Sequence, residues 1–389
     1  MSNLQADAIA LILASDREDA AAVRRLLEAG ADVHGRDANG RTALMAAVQK
    51  NNEEIASLLI AAGSDVNARD NTMLSPYLCA GANGFHHILR LTLAAGADIR
   101  SVNRFGGTAL LPSSEKGYLK TVQVCLDAGV AVNHVNNLGW SALLEAVVLG
   151  NGGRLYADVI ELLVLAGADA ELPDRDGKSS RRHAEEMNQQ QVIKLLDGEN
   201  VDSHPAIVNA NALARQDRYE EAIAEVDRAL QADGGNTDLI YYKGSFLAES
   251  GNYEEAIVEY GRALALQPTE LEFYFYIANA WRLLKNPGRA LASYDRAISL
   301  DSDDTFYRYH KSNYLRELGR HEEAVIEMDR LLAQQPHRYD FSFHKANSLR
   351  SLGKHREAAD AIENAIVHDP GNPLYREHKR QSLQLLEQQ

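Results

Sequence analysis

Cysteine is scarce in this sequence: its 389 residues include two, Cys79 and Cys125. Two cysteines cannot supply the disulfide framework on which small secreted domains depend. Both lie at helical positions of the repeat pattern described below, so we expect buried, reduced thiols and a reducing, cytoplasmic compartment. Secretion into a host cell as an effector is the alternative that the sequence leaves open.

Long apolar runs are also missing, although 45% of the residues are hydrophobic. No run approaches the roughly 20 residues that span a bilayer as a helix. The short apolar stretch from Leu4 to Ala14 has no basic start and no cleavage-like end, so we interpret it as a capping helix rather than a signal peptide. We therefore expect no membrane partner.

Basic residues are outnumbered, with 40 Lys and Arg against 55 Asp and Glu, and the formal net charge is −15. A nucleic-acid-binding surface needs a basic patch or stripe. Neither half of the chain is basic, so we expect no nucleic-acid partner. Solubility accounts for much of the acidic excess.

Motifs that carry catalysis or bind a cofactor are absent. Gly177-Lys178-Ser179 matches the end of a phosphate-binding loop, but Leu172 occupies the position of that loop's first glycine. His86-His87 lacks the companions of a zinc site, and the two cysteines are too far apart to form one. We therefore predict a protein that is not an enzyme and that binds no metal or cofactor.

The sequence does contain strong periodicity. In its second half, five alanines recur every 34 residues: Ala222, Ala256, Ala290, Ala324 and Ala358. Within the unit from Leu239 to Pro268, residues at helical spacing precede a break at Gly251-Asn252 and then a second helical stretch. A fixed period of this length predicts a solenoid of helical hairpins, each packed against its neighbours. Small residues such as Gly244 and Ala256 let the two helices of a hairpin approach closely.

Turn glycines and closing prolines recur in the same frame: Gly251, Gly319 and Gly353, and Pro268, Pro336 and Pro370. This combination resembles the tetratricopeptide repeat over about residues 203–370. The resemblance implies an array of antiparallel helix pairs whose first helices line a groove.

The first half of the chain has a different period. Glycines suited to end helices in a left-handed conformation lie 33 residues apart, with the last after 38: Gly30, Gly63, Gly96, Gly129 and Gly167. Hydroxyl residues recur in phase where helix N-caps are needed: Thr42, Ser75, Thr108 and Ser141. This order of turn, short helix, loop and longer helix resembles the ankyrin repeat over about residues 4–197. A short insertion begins at Gly150.

Together these patterns predict an all-α fold of two tandem α-solenoids that form a curved superhelix. We predict an ankyrin-repeat domain over residues 1–200, with about six units including caps. We predict a tetratricopeptide-repeat domain over residues 201–389, with five units and a C-terminal capping helix. The short polar segment from Glu199 to Pro205 is the predicted linker, with a hinge at Gly198. Asn372 and Pro373 are predicted to begin the capping helix.

Two surfaces are candidates for binding, and the first lies at the turn tips of the ankyrin-like units. Three apolar side chains there predict contacts with a partner protein: Phe105, Leu138 and Trp140. Met73 and Leu74 lie at another tip. Tryptophan is among the residues most enriched in interface hot spots. The alternative for Trp140 is packing under the insertion loop from Arg154 to Tyr156.

The second candidate is the groove of the tetratricopeptide-like array, whose first helices carry three rows of residues. The rows are largely aromatic (Ile207, Tyr241, Phe275, Tyr309, Phe343), largely amide (Asn211, Ser245, Asn279, Asn313, Asn347) and guanidinium (Arg282, Arg316, Arg350). Rows three or four residues apart lie on one helix face, which we expect to be exposed. Amides suit the backbone of an extended peptide, and guanidinium groups suit carboxylates. The alternative is that the repeat consensus keeps asparagine there without a ligand.

The resemblances imply a non-catalytic scaffold or adapter, with a partner protein on the concave ankyrin face and an extended peptide in the tetratricopeptide groove. In that family, some grooves grip a terminal carboxylate through lysines, but the corresponding positions here are aromatic. Two alternatives stay open: a co-chaperone-like receptor for peptide tails with the ankyrin half as a spacer, and a self-assembling structural component. We expect a monomer.

Overall fold

The computed structural model describes residues 3–198, 204–368, 370 and 373–387, and the regular secondary structure in these ranges is helical. They contain 23 helices and no strand, with isolated bridges at Val135–Ser141 and Pro173–Ser179. This confirms the predicted all-α fold. No helix among the described residues is long and apolar enough to cross a membrane. The predicted linker positions 199–203 and the predicted cap Asn372 lie outside the described residues.

The chain divides into two compact units, Met1–Glu199 and Asn200–Gln389. The first unit consists of six helix pairs. Its helices are α1 (Asn3–Asp16), α2 (Ala20–Glu28), α3 (Ala43–Gln49), α4 (Glu53–Ala61), α5 (Pro76–Asn83), α6 (His86–Ala94), α7 (Leu110–Glu115), α8 (Leu119–Asp127), α9 (Ala142–Leu149), α10 (Arg154–Leu165), α11 (Ser180–Glu186) and α12 (Gln190–Leu196).

Within this unit the helices form two layers. The first helix of each pair packs against the first helix of the next, from α1 to α11, and the second helices do the same from α2 to α12. The predicted helix-ending glycines all have positive φ: Gly30, Gly63, Gly96, Gly129 and Gly167. Each therefore adopts the left-handed conformation that ends a helix, as the 33-residue spacing predicted.

Most of the predicted N-caps are confirmed. The hydroxyl oxygens of Thr42, Ser75 and Ser141 each accept a backbone N–H three residues on, at 3.2 Å. The prediction for Thr108 is wrong, because α7 begins later and its N-cap is Ala109. The backbone turns directly after Thr108, where Leu111 N–H bonds to the Thr108 carbonyl, and the Thr108 hydroxyl is buried without a hydrogen bond.

The second unit consists of five helix pairs and one further helix. Its helices are α13 (Pro205–Ala214), α14 (Tyr219–Ala232), α15 (Thr237–Glu249), α16 (Tyr253–Leu266), α17 (Glu272–Leu283), α18 (Pro287–Leu300), α19 (Thr305–Glu317), α20 (His321–Gln334), α21 (Tyr339–Ser351), α22 (His355–His368) and α23 (Pro373–Glu387). Each helix packs against the next along the chain. The odd-numbered helices from α13 to α21 are called the inner helices below.

The five periodic alanines are all fully buried, and each lies on the second helix of its pair. Gly244 has a different neighbour from the one that the sequence suggested. A Cβ at Gly244 would lie 2.6–3.1 Å from ring atoms of Tyr260. The glycine therefore makes room for an aromatic ring of the paired helix rather than for close backbone contact with Ala256. Cys79 and Cys125 are buried free thiols, as predicted.

Candidate functional site

The aromatic row of the second unit is not on an open surface. Its members are between 1% and 3% exposed: Ile207, Tyr241, Phe275, Tyr309 and Phe343. The prediction that this row lines the groove is wrong in placement. Each ring packs instead between neighbouring inner helices, so these residues contribute to the core of the helix stack.

The partners of these rings form a row that sequence reasoning missed. The ring centroid of Phe275 lies 4.7 Å from that of His310, Tyr309 lies 5.8 Å from His344, and Phe343 lies 5.3 Å from His378. Tyr241 pairs with Tyr276 in the same way, at 5.0 Å. The signal was available, because the partner positions recur every 34 residues. They are Tyr276, His310, His344 and His378.

The amide row lies beside this ladder and binds groups of the chain itself. Asn313 and Asn347 are 7% and 6% exposed. Asn313 Oδ1 accepts a hydrogen bond from Arg316 at 3.0 Å, and Asn347 Oδ1 lies 2.9 Å from His378 Nε2. Asn279 Oδ1 accepts the Tyr294 hydroxyl at 3.3 Å, while Asn279 and Asn211 are half-buried. Contact between these amides and a peptide backbone stays a prediction.

The arginine row is half-buried and engages mainly neutral acceptors. Arg316 Nη1 lies 2.7 Å from His344 Nδ1, and Arg350 Nη1 donates to Gln381 Oε1 at 2.8 Å. Arg282 lies 3.6 Å from the Glu317 carboxylate. Burial lowers the pKa of Arg350, although the charge of Glu377 partly opposes the shift. A carboxylate ligand would meet three guanidinium groups along this face of α17, α19 and α21.

The last helix, α23, covers the C-terminal edge of the helix stack. Tyr375 and His378 are 4% and 3% exposed, and both rings lie within 6 Å of the Phe343 ring. The register of the repeat continues into this helix. Lysines bridge to acidic residues of preceding second helices at 34-residue intervals: Lys311 to Asp295, Lys345 to Asp329 and Lys379 to Glu363. α23 therefore occupies the place of a further inner helix.

In the first unit, the turn tips are built around side chains that cap them. The carboxylate or amide oxygen of the first turn residue accepts backbone N–H groups two and four residues on, at 2.8–3.1 Å. These residues are Asp37, Asp70, Asn103, Asn136 and Asp174. Neighbouring tips are also joined, since Asn137 N–H donates to the Phe105 carbonyl at 2.8 Å. The tips are therefore held by side-chain and backbone bonds alike.

The apolar tip residues keep part of their surface exposed. Phe105, Leu138 and Trp140 are half-buried, and Met73 is 46% exposed. The guanidinium carbon of Arg104 lies 4.6 Å from the Phe105 ring centroid. Their role in partner binding stays a prediction, and so does the alternative that Trp140 packs under the insertion loop.

A buried carboxyl group near these tips was missed by sequence reasoning. Glu145, on α9, is 7% exposed. Its Oε1 accepts a hydrogen bond from Asn136 Nδ2 at 2.8 Å, and its Oε2 is buried without a hydrogen bond. Burial, and then the charge of Glu115, raise the pKa of Glu145 well above its usual value, against the Asn136 bond. The equivalent pair one unit later is Asp174 with His183, at 2.8 Å.

We expect Glu145→Gln to stabilise the first unit near pH 8 by more than the roughly 0.5 kcal/mol typical of surface substitutions. A raised folded-state pKa means that the folded protein binds the proton more tightly, so this residue's stabilising contribution is lost as pH rises through that pKa. The isosteric amide keeps the Asn136 bond and removes the titration. Urea unfolding at about pH 5 and about pH 8, followed by Trp140 fluorescence in a Trp281→Phe background, measures the difference.

The matched control for this experiment is the exposed Glu53→Gln, which should change stability little at either pH. An equal gain for Glu145→Gln at both pH values would contradict the titration of the buried carboxyl.

Comparison with protein families supports the two kinds of repeat. A family profile described as "Ankyrin repeats (3 copies)" matches residues 2–70 and 77–174. Profiles described as "TPR repeat" and "Tetratricopeptide repeat" match residues 244–281 and 309–373. A comparison with curated protein sequences found no match.

Similar solved structures include an ankyrin repeat domain from Acinetobacter baumannii AYE. It is 47% identical, with 49% of this chain and 98% of that chain covered, at a TM-score of 0.48. EF0377, an ankyrin repeat protein, is 36% identical over 49% of this chain and 98% of its own, with the same TM-score. A chain from the complex of a Bdellovibrio bacteriovorus predatory endopeptidase with its immunity protein is 25% identical, covering 49% and 98% of the two chains at 0.43.

The chain belongs to the repeat proteins, with ankyrin repeats in its first half followed by tetratricopeptide repeats in its second. Both repeats are protein–protein interaction modules, and as families they are typically not catalytic.

Proposed function

We propose that this protein is a non-catalytic adapter whose tetratricopeptide groove binds an extended acidic peptide while its ankyrin tips contact a partner protein. The observation that carries the proposal is the row of half-buried arginines at Arg282, Arg316 and Arg350. A cationic row of this kind is notable in a chain of net charge −15. Electrostatic complementarity of groove and ligand would favour an acidic partner over a neutral one.

The bonds that these arginines make are of a kind that a carboxylate can replace. Arg316 and Arg350 are bonded to neutral acceptors, namely Asn313, His344 and Gln381. Hydrogen bonds between a guanidinium group and a carboxylate are shorter and about twice as strong as neutral ones. An acidic side chain that displaces Gln381 from Arg350 therefore gains a stronger bond than the chain loses.

The proposal for the first unit rests on the tip residues Phe105, Leu138 and Trp140. Partly exposed aromatic side chains on a surface whose backbone is already ordered lose little conformational entropy on binding. Trp140 is the strongest candidate for a hot spot. We also propose a monomer, which is supported by the position of α23 over the C-terminal edge of the second unit.

Selection of peptides from a random displayed library against the full chain tests the groove proposal. We expect enrichment of peptides rich in Asp and Glu. The variant with Arg282→Gln, Arg316→Gln and Arg350→Gln should bind the best of these peptides at least about 100-fold more weakly, because each charge-assisted bond contributes roughly 1.5–3 kcal/mol. Fluorescence anisotropy with the labelled peptide measures the affinities.

The chain offers a control with the same change of charge. Arg218, Arg320 and Arg380 are exposed and paired with glutamates three residues away. Their triple change to Gln should leave peptide affinity within about three-fold. Trp140→Ala should also leave it unchanged, because that side chain lies in the other unit. Enrichment of neutral peptides, or of none, would contradict the proposed groove ligand.

Asparagine substitutions are a poorer test than the sequence suggested. Asn313 and Asn347 are buried and hydrogen-bonded to Arg316 and His378. Their replacement by alanine leaves donors unsatisfied, at a cost of about 1–3 kcal/mol each. Lost binding could then not be separated from lost stability, whereas the arginines are nearer the surface.

A further inference from the structure

Arg316 lies at a junction of two inner helices, where its bonding reveals a protonation state. Its Nη1 donates to Asn313 Oδ1 on α19 and lies 2.7 Å from His344 Nδ1 on α21. Arginine has donors only, so His344 Nδ1 must accept with its lone pair. His344 is therefore neutral while this contact persists. Its Nε2 lies 3.4 Å from the Tyr309 hydroxyl.

A second histidine responds to the same arginine. His321 is the first residue of α20, and its Nδ1 is buried without a hydrogen bond. Burial, and then the positive charge of Arg316, lower the pKa of His321, while Glu322 opposes the shift. Two neutral imidazoles therefore accompany one guanidinium group in this part of the groove.

The other charged groups on the surrounding helices have partners of their own. They are Arg282 with Glu317, Arg308 and Lys311 with Glu327, Arg320 with Glu323, Arg338 with Asp340, Lys345 with Asp329, and His378 with Asn347. On α22, Asp360 lies beside Lys345 in a surface cavity of about 240 Å³. The Arg316 cluster differs from these pairs because the acceptors printed along its guanidinium group are neutral.

We propose that Arg316, His344 and His321 form a proton-linked site for a carboxylate of the groove peptide. This inference rests on the proposed function and specifies how the same groove is regulated. A carboxylate at Arg316 replaces His344 as the acceptor and offsets the charge that keeps both imidazoles neutral. Binding is then accompanied by proton uptake, and the affinity for an acidic peptide rises as the pH falls.

The direction of the effect follows from linkage. Any ligand that favours the protonated form of a group binds more tightly when that form is populated. Histidine is the side chain that titrates between about pH 5 and pH 8, whereas Asp and Glu in a peptide stay ionised above about pH 5. Without a ligand, protonated His344 cannot accept from Arg316, and the two cations repel each other.

Isothermal titration calorimetry with the selected acidic peptide tests the inference on the full chain. We expect binding at least about ten-fold tighter at about pH 5.5 than at about pH 7.5, with uptake of about one proton per peptide. Titrations in buffers of different ionisation enthalpy count the proton. In the double variant His321→Gln, His344→Gln, the ratio of affinities should fall below about three-fold. His337→Gln, an exposed histidine of the same unit, is the control.

A second measurement does not depend on the peptide. The free wild-type protein should lose more stability between about pH 7.5 and pH 5.5 than His344→Gln does, because only the wild type acquires two adjacent cations. Equal affinity at both pH values, or an unchanged ratio in the folded double variant, would overturn the proton linkage and leave the adapter proposal standing. Failure of any acidic peptide to bind at either pH would overturn both.

Discussion

Replacing Glu327 by alanine is expected to cost about 3–5 kcal/mol of stability in the tetratricopeptide unit, the usual range when one member of a buried ionic network is removed. The Glu327 side chain is 5% exposed and accepts from Arg308 at 2.8 Å and from Lys311 at 2.9 Å. Arg330 adds a third contact at 3.0 Å. The Arg308 and Lys311 side chains are themselves 10% and 15% exposed. Without Glu327, two buried cations would face each other uncompensated.

The pH dependence of this effect has a definite sign. Burial raises the pKa of Glu327, but its bonds with Lys311 and Arg308 outweigh burial and hold the pKa below the usual value. A depressed folded-state pKa gives stability that is present above the ordinary glutamate range and is lost as pH falls through the folded pKa. The difference between wild type and Glu327→Ala should therefore shrink in acid.

Urea unfolding followed by Trp281 fluorescence, in a Trp140→Phe background, reports on this unit. Glu323→Ala is the control, because Glu323 forms an exposed pair with Arg320 on the same helix. Exposed pairs contribute about 0–1 kcal/mol. A loss for Glu327→Ala no greater than that of Glu323→Ala would show that the network contributes nothing beyond its desolvation cost.

The second large effect is expected in the ankyrin unit, where Gly81→Val should cost about 3 kcal/mol or more. Gly81 lies on α5, and a Cβ there would lie 2.6 Å from Ala109 Cβ and 3.2 Å from both the Ala109 Cα and its carbonyl oxygen. Backbone atoms cannot move aside as a flexible side chain can. The Gly81 carbonyl also accepts the Ser113 hydroxyl at 3.1 Å, so a shift of α5 would strain that bond as well.

Ala82→Val is the matched control for this substitution. Ala82 follows Gly81 on α5 and is half-buried, so its change tests the effect of a β-branched residue in the helix, which is about 0.5–0.7 kcal/mol. Unfolding followed by Trp140 fluorescence in the Trp281→Phe background compares the two variants. Equal losses would mean that α5 and α7 can separate without cost at this contact.

The sequence predicted the architecture because the information is local and repeated. A glycine after each longer ankyrin helix has one suitable role, and the five alanines mark the tightest helix contacts of the second unit. Prediction failed at Thr108 because a one-residue shift of a helix start depends on how the neighbouring turn packs. The periodicity indicated where helices lie, but not each boundary.

The candidate groove was predicted less well, for a geometric reason. Helical spacing places Phe275, Asn279 and Arg282 on one face of α17, but it does not say how much of that face the next inner helix covers. The structure buries Phe275 against His310 and leaves Arg282 near the surface. Glu145 was missed because nothing in a single acidic residue on a helix signals burial.

By itself, the sequence determined the two repeat families, their order and the helical hairpin as the unit, because each unit is specified by its own turns, caps and small residues. Tertiary structure decided which side chains face a ligand and which face each other. The contact of Arg316 with His344 and the network around Glu327 join residues of different helices. Such contacts depend on distances across the stack, which the period of the sequence does not encode.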